Sequence, residues 1–169
     1  MLVRRGREVS LLGARRDIRP ADPYDDAPPG PGPGLKILLA DDHAINRFIA
    51  SNQIRRLGHA VTSAVTPYEV IALCEHGKFD LILLEAHLGG ESGAELVHRI
   101  RALQALRGWH CPIVALCAHP LPADRLRCIE AGMDDYLAKP VDEDRLEGVL
   151  RLVFSARRPR ARARDRDLP

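Results

Sequence analysis

The feature that most constrains the fold of this chain is a short apolar run that ends in a carboxylate. Residues 79–93 read FDLILLEAHLGGESG, and Glu85 directly follows the apolar run. The Gly-Gly pair after it marks a turn, and a helix is predicted to begin near Ser92. A short continuous apolar run bounded by turn signals is typical of a strand buried on both faces of a parallel sheet. Ligands of such sheets bind beyond the carboxyl ends of the strands, so Glu85 occupies a candidate site.

The surrounding chain alternates between short apolar runs and segments with helical periodicity. Strands are predicted over residues 35–40, 60–64, 80–84, 112–117 and 136–138. Helices are predicted over residues 44–57, 67–77, 92–106, 124–131 and 143–154. Five alternations of strand and helix predict an α/β fold, a doubly wound parallel sheet with right-handed crossovers.

One helix start carries a specific capping signal. Thr66 can cap the helix, Pro67 suits its first position, and Glu69 can reach back to complete a capping box. The sequence therefore predicts the start of the second helix with a stated mechanism.

Composition divides the chain into four parts. Residues 1–26 are weakly patterned and are predicted to form a poorly ordered N-terminal arm, and residues 27–34 (APPGPGPG) a Pro/Gly linker. Residues 35–154 are predicted to be the folded domain, with a formal charge of −3. Residues 155–169, with a charge of +4, are predicted to be a disordered basic tail. Its arginines leave open a second hypothesis, salt-dependent binding to nucleic acid or to an anionic membrane surface.

The cysteines and the hydropathy of the chain bear on its location. The four cysteines show neither a CxxC pair nor metal-type spacing, and the apolar neighbours of Cys74, Cys117 and Cys128 favour buried free thiols in a reducing compartment. No apolar run approaches the roughly 18 residues of a membrane span, and no secretory signal is recognisable. We therefore expect a cytoplasmic protein.

Charged side chains follow several of the predicted strands. Asp41 and Asp42 follow the first, Glu85 the third and Lys139 the fifth, while Cys117 ends the fourth. Like charges at about 4 Å repel by about 1 kcal/mol even in water, so three carboxylates at one edge indicate a cation or a phosphoryl group. Mg²⁺ prefers carboxylates and water, and a lysine can neutralise phosphoryl oxygens.

Several motifs taken together resemble the receiver domain of response regulators, of the kind attached to hybrid histidine kinases. They are ILLADDHAINR, LGH, FDLILLE, the glycine at 93, PIVALCA and AGMDDYLAKP, in this order over residues 35–154. The resemblance implies a flavodoxin-like five-stranded sheet of order 2-1-3-4-5 with helices on both faces. It also implies two-component phosphorelay signalling, without enzymatic activity beyond residual phosphoryl-acceptor and autophosphatase chemistry.

The resemblance also assigns roles to residues and partners. Asp41 and Asp42 correspond to the acidic pair that holds Mg²⁺, Lys139 to the lysine before a typically cis proline, and Tyr136 to the switch aromatic residue. The implied partner is a histidine kinase or phosphotransfer protein. Another protein partner would use the face of helix 4 and strand 5, where Arg125 and Arg127 are candidates. We expect no DNA-binding output domain after residue 154, because only 15 residues follow it in this sequence.

Two positions depart from the family pattern, and both concern the chemistry. Glu85 stands at the position of the phosphoaccepting aspartate, and Cys117 at that of the hydroxyl residue that senses the phosphoryl group. Glutamate places its carboxylate one methylene further out, and a thiol is a weak hydrogen-bond donor. We therefore predict a degenerate receiver, or pseudo-receiver, that is not phosphorylated. The alternative is a phosphorylatable receiver that uses Glu85.

Plainer interpretations remain open at this point. The Asp41–Asp42 pair could be solvated, Glu85 could be an ordinary polar residue in a relic pocket, and Tyr136 could serve packing alone. Cys117 could be a small buried thiol or a redox sensor.

A transition-metal site is a further alternative at the same edge. His43 and His87 could join Asp41, Glu85 and Cys117 there, although their spacing matches no known ligand pattern.

Overall fold

In a computed structural model of the chain, residues 34–118 and 122–157 are described. Five strands form the main sheet: β1 (Lys36–Ala40), β2 (Ala60–Ala64), β3 (Leu81–Glu85), β4 (Ile113–Cys117) and β5 (Asp135–Ala138). Five helices connect or follow them: α1 (Ala44–Arg56), α2 (Pro67–His76), α3 (Gly93–Arg107), α4 (Pro122–Glu130) and α5 (Glu143–Arg157). A small antiparallel hairpin, His87–Leu88 with Glu91–Ser92, lies between β3 and α3.

The main sheet is parallel throughout and has the order β2-β1-β3-β4-β5. Both the flavodoxin-like fold and the strand order implied by the resemblance are confirmed. Ala40, the last residue of β1, lies opposite Leu84, and Cys117 lies opposite Ala138. The carboxyl ends of β1, β3, β4 and β5 therefore meet at one edge of the sheet.

The apolar runs of the strands are continuous because both faces of the sheet are covered. Ile37 and Leu39 face a cluster that includes Ile54 of α1 and Leu146 of α5. Leu38 packs in the opposite cluster, to which α2, α3 and α4 contribute. Alternate residues of one strand thus belong to different halves of the core, as the two-residue period of a strand requires.

The helix starts follow the capping signals of the sequence. Thr66 accepts a hydrogen bond from the Glu69 amide at 3.2 Å, and the Glu69 carboxylate accepts one from the Val65 amide at 2.7 Å. The capping interaction is therefore present, with its return bond shifted by one residue to Val65. Ser92 caps α3 by accepting from the Ala94 amide.

The structure also adds detail to the sequence prediction and changes one limit. The predicted Gly-Gly turn joins the two strands of the short hairpin, which the sequence analysis did not predict. The last helix ends at Arg157, so the first three residues of the predicted disordered tail are helical. On α1 the buried residues are Ala50, Ser51 and Ile54, while most of its other apolar side chains are exposed. The predicted N-terminal arm, the linker up to residue 33 and the tail from residue 158 lie outside the described residues.

None of the helices formed by residues 34–118 and 122–157 combines the length and the apolar composition that crossing a bilayer requires.

Candidate functional site

The parallel register brings three acidic residues and one lysine to the same edge of the sheet. Asp41 and Asp42 directly follow β1, Glu85 ends the adjacent β3, and Lys139 follows β5. β4 alone separates β3 from β5, so a long lysine side chain can reach across its end. The four charged residues singled out in the sequence are therefore neighbours.

Lys139 joins two of the carboxylates. Its Nζ lies 3.3 Å from Asp41 Oδ2 and also donates a hydrogen bond to Glu85 Oε1. The side chains of Lys139, Asp41 and Glu85 are only 9%, 1% and 16% exposed. Because water screens such charges little, the ammonium and the two carboxylates depend on each other for neutralisation. A solvated strand-end pair is therefore wrong for Asp41.

The protonation equilibria reflect an excess of negative charge at this edge. Burial raises the pKa of the Glu85 carboxyl, and the nearby Asp41 charge adds to this, while the hydrogen bond from Lys139 opposes it. Burial by itself would lower the pKa of Lys139, but the hydrogen bond to Glu85 and the Asp41 charge outweigh it, so the pKa is raised. A raised pKa at both groups means that the site favours the protonated, more positive form of each. A bound cation would also supply positive charge there.

Backbone groups hold the acidic pair in place. The Gly89 amide in the hairpin turn donates to Asp42 Oδ2 at 3.0 Å, and the His43 amide donates to Asp41 Oδ1 at 2.8 Å. The Asp42 amide contributes a longer contact of 3.4 Å to Glu85 Oε2. In addition, Arg47 Nη1 donates to the Asp41 carbonyl at 2.9 Å.

The donor set of this edge fits a hard divalent cation. One oxygen from each of Asp41, Asp42 and Glu85 lies within 4.8 Å of the others, and within the described parts of the chain no other group of three or more ligand residues comes together. Carboxylate oxygens are ligands that Mg²⁺ uses, together with water. His43 and His87 do not belong to the group, so the geometry does not support the alternative of a transition-metal site.

Cys117 lies at the end of β4 with its thiol outside the carboxylate cluster. Its carbonyl accepts a hydrogen bond from the Lys139 amide at 2.8 Å, while its side chain lines a cavity of about 430 Å³ together with Cys128. Burial raises the pKa of the Cys117 thiol to about 11, and the neighbouring Cys128 adds to this. Cys117 is thus a buried thiol rather than a ligand of the acidic group.

Tyr136 lies on β5, two strands away from Glu85 at the end of β3. It is half-buried against the core, and the Arg125 guanidinium of α4 lies 5.6 Å from the centre of its ring. This is the distance of a cation–π contact. The contact joins α4 to β5 on the face where the sequence placed a partner surface.

Sequence reasoning missed three contributors to this region. The Arg47 contact with the Asp41 carbonyl follows from α1 lying beside β1, and the Gly89 contact follows from the hairpin. Cys128 meets Cys117 only because α4 packs on the sheet beside β5. Arg47 could have been found from its place in the DDHAINR motif, but no local signal identifies the other two.

The profile of the response regulator receiver domain matches residues 37–151. This chain belongs to the response regulator receiver domain family. The folded part of this chain is therefore a receiver domain of the two-component phosphorelay type.

The receiver domain is similar to parts of much longer sensor kinases. It is 31% identical over 143 residues to the sensor protein GacS of Pseudomonas syringae pv. syringae, covering 84% of this chain and 15% of that protein. It is 39% identical over 116 residues to the sensor histidine kinase AruS of Pseudomonas aeruginosa, covering 69% of this chain and 12% of that protein. The chain thus corresponds to less than a sixth of either relative.

Solved structures show the same fold. The receiver domain of the sensor histidine kinase PA1611 from Pseudomonas aeruginosa, with a magnesium ion in its active site cleft, is 33% identical, with a TM-score of 0.65 and coverage of 73% of this chain and 99% of that one. A second match is a chain in the Saccharomyces cerevisiae complex of the phosphotransfer protein Ypd1 with the Ssk1 receiver domain. That chain is 26% identical, with a TM-score of 0.65, and the match covers 70% of this chain and 87% of that one. With the carboxylate cluster, the first structure makes Mg²⁺ a compatible ligand of this receiver domain.

Proposed function

We propose that this receiver domain is a pseudo-receiver, a regulatory binding domain of two-component signalling that does not accept a phosphoryl group. The observation that carries the proposal is the contact between Glu85 and Lys139. The lysine that would neutralise an incoming phosphoryl group already bonds the carboxylate at the acceptor position. Glu85 would thereby imitate part of a modified aspartate, with a charge near −1 where a phosphoryl group brings more.

The length of the Glu85 side chain supports this proposal. The additional methylene extends the carboxylate by about one C–C bond, roughly 1.5 Å. Phosphoryl transfer depends on in-line placement of the acceptor, and an error of about 1 Å can cost about a hundredfold in rate. In its observed position, Glu85 contacts both Lys139 and the Asp42 amide.

The sensor position supports the same conclusion. Cys117 offers a weak S–H donor where a hydroxyl would donate to the phosphoryl group, and its side chain borders the cavity with Cys128. A hydrogen bond to a charged group contributes about 1.5–3 kcal/mol. The free energy that couples phosphorylation at position 85 to Tyr136 would therefore be smaller by about that amount.

The proposed partner is a histidine kinase or a histidine phosphotransfer protein in the cytoplasm. The relatives are sensor kinases, and a receiver domain of similar fold was solved with the phosphotransfer protein Ypd1. On the face of α4 and β5, Arg125 and Arg127 are exposed and available to a protein partner. We propose a regulatory role for the domain, with no enzymatic turnover, and Mg²⁺ binding by Asp41, Asp42 and Glu85.

The test is phosphorylation by acetyl phosphate with and without Mg²⁺, followed by intact mass measurement. We expect no phosphoryl adduct on the wild-type chain and a Mg²⁺-dependent adduct on Glu85→Asp, because the shorter side chain restores the family's acceptor. Glu85→Gln should stay unlabelled. Glu75→Gln, a change at an exposed glutamate of α2, is the matched control and should behave as the wild type.

The second candidate function is a phosphorylatable receiver that uses Glu85. It is favoured by the three carboxylates, whose spacing suits the cation that phosphoryl transfer requires. A Mg²⁺-dependent adduct on the wild type that disappears in Glu85→Gln would establish this function and contradict the first. The hypothesis of nucleic-acid or membrane-surface binding by the tail stays a prediction. Removing residues 155–169 should abolish any salt-sensitive binding, and unchanged binding would contradict it.

A further inference from the structure

Two cysteines from different elements face the same cavity. Cys117 ends β4 and Cys128 lies in the last turn of α4. Both line the cavity of about 430 Å³ and both belong to the same core cluster, with 6% and 8% of their surfaces exposed. Cys128 is close enough to Cys117 to add to the raised pKa of the Cys117 thiol, through its charge and a side-chain hydrogen bond. The pair is therefore adjacent, and the cavity gives small molecules a route to it.

The cavity is large enough to admit a small reagent. Ligand cavities of proteins typically measure about 300–1,000 Å³. Its walls combine small or apolar side chains, such as Ala86 and Met133, with a few polar ones. The charged lining residues Asp124 and Arg127 form an ion pair at 3.7 Å, so their charges offset each other.

Metal binding is not the chemistry that these thiols support. Neither cysteine belongs to a group of three or more metal-ligating residues within the described residues. A structural zinc site needs four ligands, and a catalytic one needs three. Two adjacent thiols that do not hold a metal can still react together, by forming a disulfide.

A second pair of cysteines provides an internal comparison. Cys74 of α2 and Cys111, just before β4, belong to the same cluster, and Cys74 adds to the raised pKa of the Cys111 thiol, which burial mainly causes. Both are fully buried, and neither lines the cavity. In addition, Gln104 Nε2 donates a hydrogen bond to Cys111 Sγ at 3.3 Å. The cysteines of this second pair are also close together, but they do not border the cavity through which a reagent could reach the first pair.

We propose that Cys117 and Cys128 form an oxidisable dithiol, which a small disulfide such as oxidised glutathione converts into an intramolecular disulfide. One cysteine thiolate attacks a sulfur of the oxidant, forms a mixed disulfide and releases one glutathione thiolate. The second cysteine thiolate attacks the protein sulfur of that mixed disulfide and releases the other glutathione. The two cysteines lose two protons and two electrons, and one oxidised glutathione becomes two reduced molecules.

The disulfide would fix the end of β4 to α4. The Cys117 carbonyl bonds the Lys139 amide, so the bridge would start one backbone contact away from the lysine of the acidic cluster. This inference does not rest on the proposed function, since neither Glu85 nor phosphorylation takes part. Burial raises the pKa of the Cys117 thiol to about 11, so the exchange is slow and the incubation must last for hours.

The experiment incubates the full chain with excess oxidised glutathione, alkylates the remaining thiols and maps tryptic peptides by mass spectrometry. We expect a disulfide between peptide 108–125, which contains Cys117, and peptide 128–145, which begins with Cys128. The number of alkylated thiols should fall from four to two. A reducing agent should restore all four.

Matched variants assign the bridge, because Cys111 shares a tryptic peptide with Cys117. The linked peptides should persist in Cys111→Ser and vanish in both Cys117→Ser and Cys128→Ser. Four alkylated thiols after incubation would overturn the inference. So would a stable glutathione adduct on one cysteine, a bridge between Cys74 and Cys111, or linked peptides that survive in Cys117→Ser.

Discussion

Lys139 is the residue on which the charge balance at the sheet edge depends most. Its ammonium lies between the buried carboxylate of Asp41 and that of Glu85. Removing one partner of a buried ion pair leaves the others uncompensated, which costs more than the intact pair contributes to stability. The requirement for positive charge at this point is electrostatic, so a bound divalent cation could meet part of it.

The first prediction therefore concerns Lys139→Met. We expect the free energy of unfolding at pH 7 to fall by about 3 kcal/mol, because two poorly solvated carboxylates lose their counter-charge. Mg²⁺ should raise the Tm of this variant more than that of the wild type, since the cation replaces part of the missing charge. Urea unfolding and thermal melts with and without Mg²⁺ measure both effects.

The control is Lys78→Met, at an exposed lysine before β3. It should change stability by no more than about 0.5 kcal/mol, and its response to Mg²⁺ should equal that of the wild type. Equal stability of the two variants would contradict the role assigned to the ammonium of Lys139.

His59 makes a contact that requires a neutral ring. Its Nδ1 accepts a hydrogen bond from the Leu35 amide at 3.1 Å, and burial lowers the pKa of the imidazole below its usual 6.5. A protonated ring cannot accept this bond. In the window below pH 6.5, the unfolded chain binds more protons at this histidine than the folded chain does, so stability falls as the pH falls.

The second prediction is that His59→Asn flattens this pH dependence. The Asn carbonyl can accept from the same amide but does not titrate, so urea unfolding at pH 7.5, 6.5 and 5.5 should show a smaller loss than in the wild type. His98→Asn, at an exposed histidine of α3, should keep the wild-type slope. An unchanged slope in His59→Asn would show that the acid sensitivity arises elsewhere.

At the scale of the elements, α1 buries only some of its apolar side chains. Ile54 is fully buried between β1 and α5, whereas Ile45 is 64% exposed. Helical periodicity places apolar residues on faces, but it does not show which face the sheet will cover. The packing of α1 decides this.

The third prediction compares two identical substitutions on α1. Ile54→Ala should lower the free energy of unfolding by about 2–5 kcal/mol, because it leaves a cavity in a closed core. Ile45→Ala should change it by no more than about 0.5 kcal/mol. Denaturant midpoints measure the difference, and comparable losses in the two variants would mean that the exposed face of α1 is covered in solution.

The start of α3 is tied to the end of β3 through Gly93. Its amide donates to the Ala86 carbonyl at 2.8 Å, and a Cβ atom added there would lie 2.9 Å from that oxygen and 3.0 Å from the Glu85 carbonyl oxygen. Such contacts are shorter than van der Waals distances, and backbone atoms cannot move aside easily. A side chain at this position would displace the residue that contacts Lys139.

The fourth prediction uses two glycines in helices. Gly93→Ala should lower stability by about 1–3 kcal/mol through this overlap. Gly148→Ala in α5, where a Cβ would meet no atom within 4 Å, should raise stability by about 0.5–1 kcal/mol through helix propensity. Thermal melts of both variants test the contrast, and a gain in Gly93→Ala would mean that the β3–α3 junction is looser than described.

At the scale of the whole molecule, the described residues form one sheet with a core on each face. The two core clusters are made of residues between Leu35 and Phe154, with α5 closing the second. The receiver profile covers residues 37–151, nearly the same range. Among the described residues, both cores are therefore formed within the range 35–154.

The fifth prediction follows from this self-contained core. A chain shortened to residues 34–157 should unfold cooperatively, with a Tm within a few degrees of that of the full chain, because it keeps all residues of both clusters. Circular dichroism melts of both chains provide the measurement. A clearly lower Tm would show that the arm or the tail packs against the domain.

Much of this architecture was predictable from local patterns. The strand predicted at residues 60–64 is β2 without a change of limits, and α2 begins at Pro67 after its predicted cap. Apolar runs and capping residues act over a few neighbours, so the sequence displays them directly. The limits of α4 and α5 differ from prediction by one to three residues, because helix ends depend on what each terminal turn contacts.

The site was predictable only in its main members. Strand-end positions identified Asp41, Asp42, Glu85 and Lys139, because parallel strands place their carboxyl ends at one edge. The hydrogen bond of Gly89 to Asp42 and the meeting of Cys117 with Cys128 depend on the hairpin and on the packing of α4. Such contacts join residues whose local sequence carries no sign of the other partner.

The amino-acid sequence by itself determined the order of strands and helices, the parallel sheet and the residue types at its carboxyl edge. These follow from hydrophobic period, turn residues and capping groups, which are properties of neighbouring residues. Only the tertiary structure decided that the lysine ammonium contacts both buried acids, which face of α1 is buried and which thiols share a cavity. Those outcomes depend on distances between segments far apart in the chain, and close packing of the whole fold sets these distances.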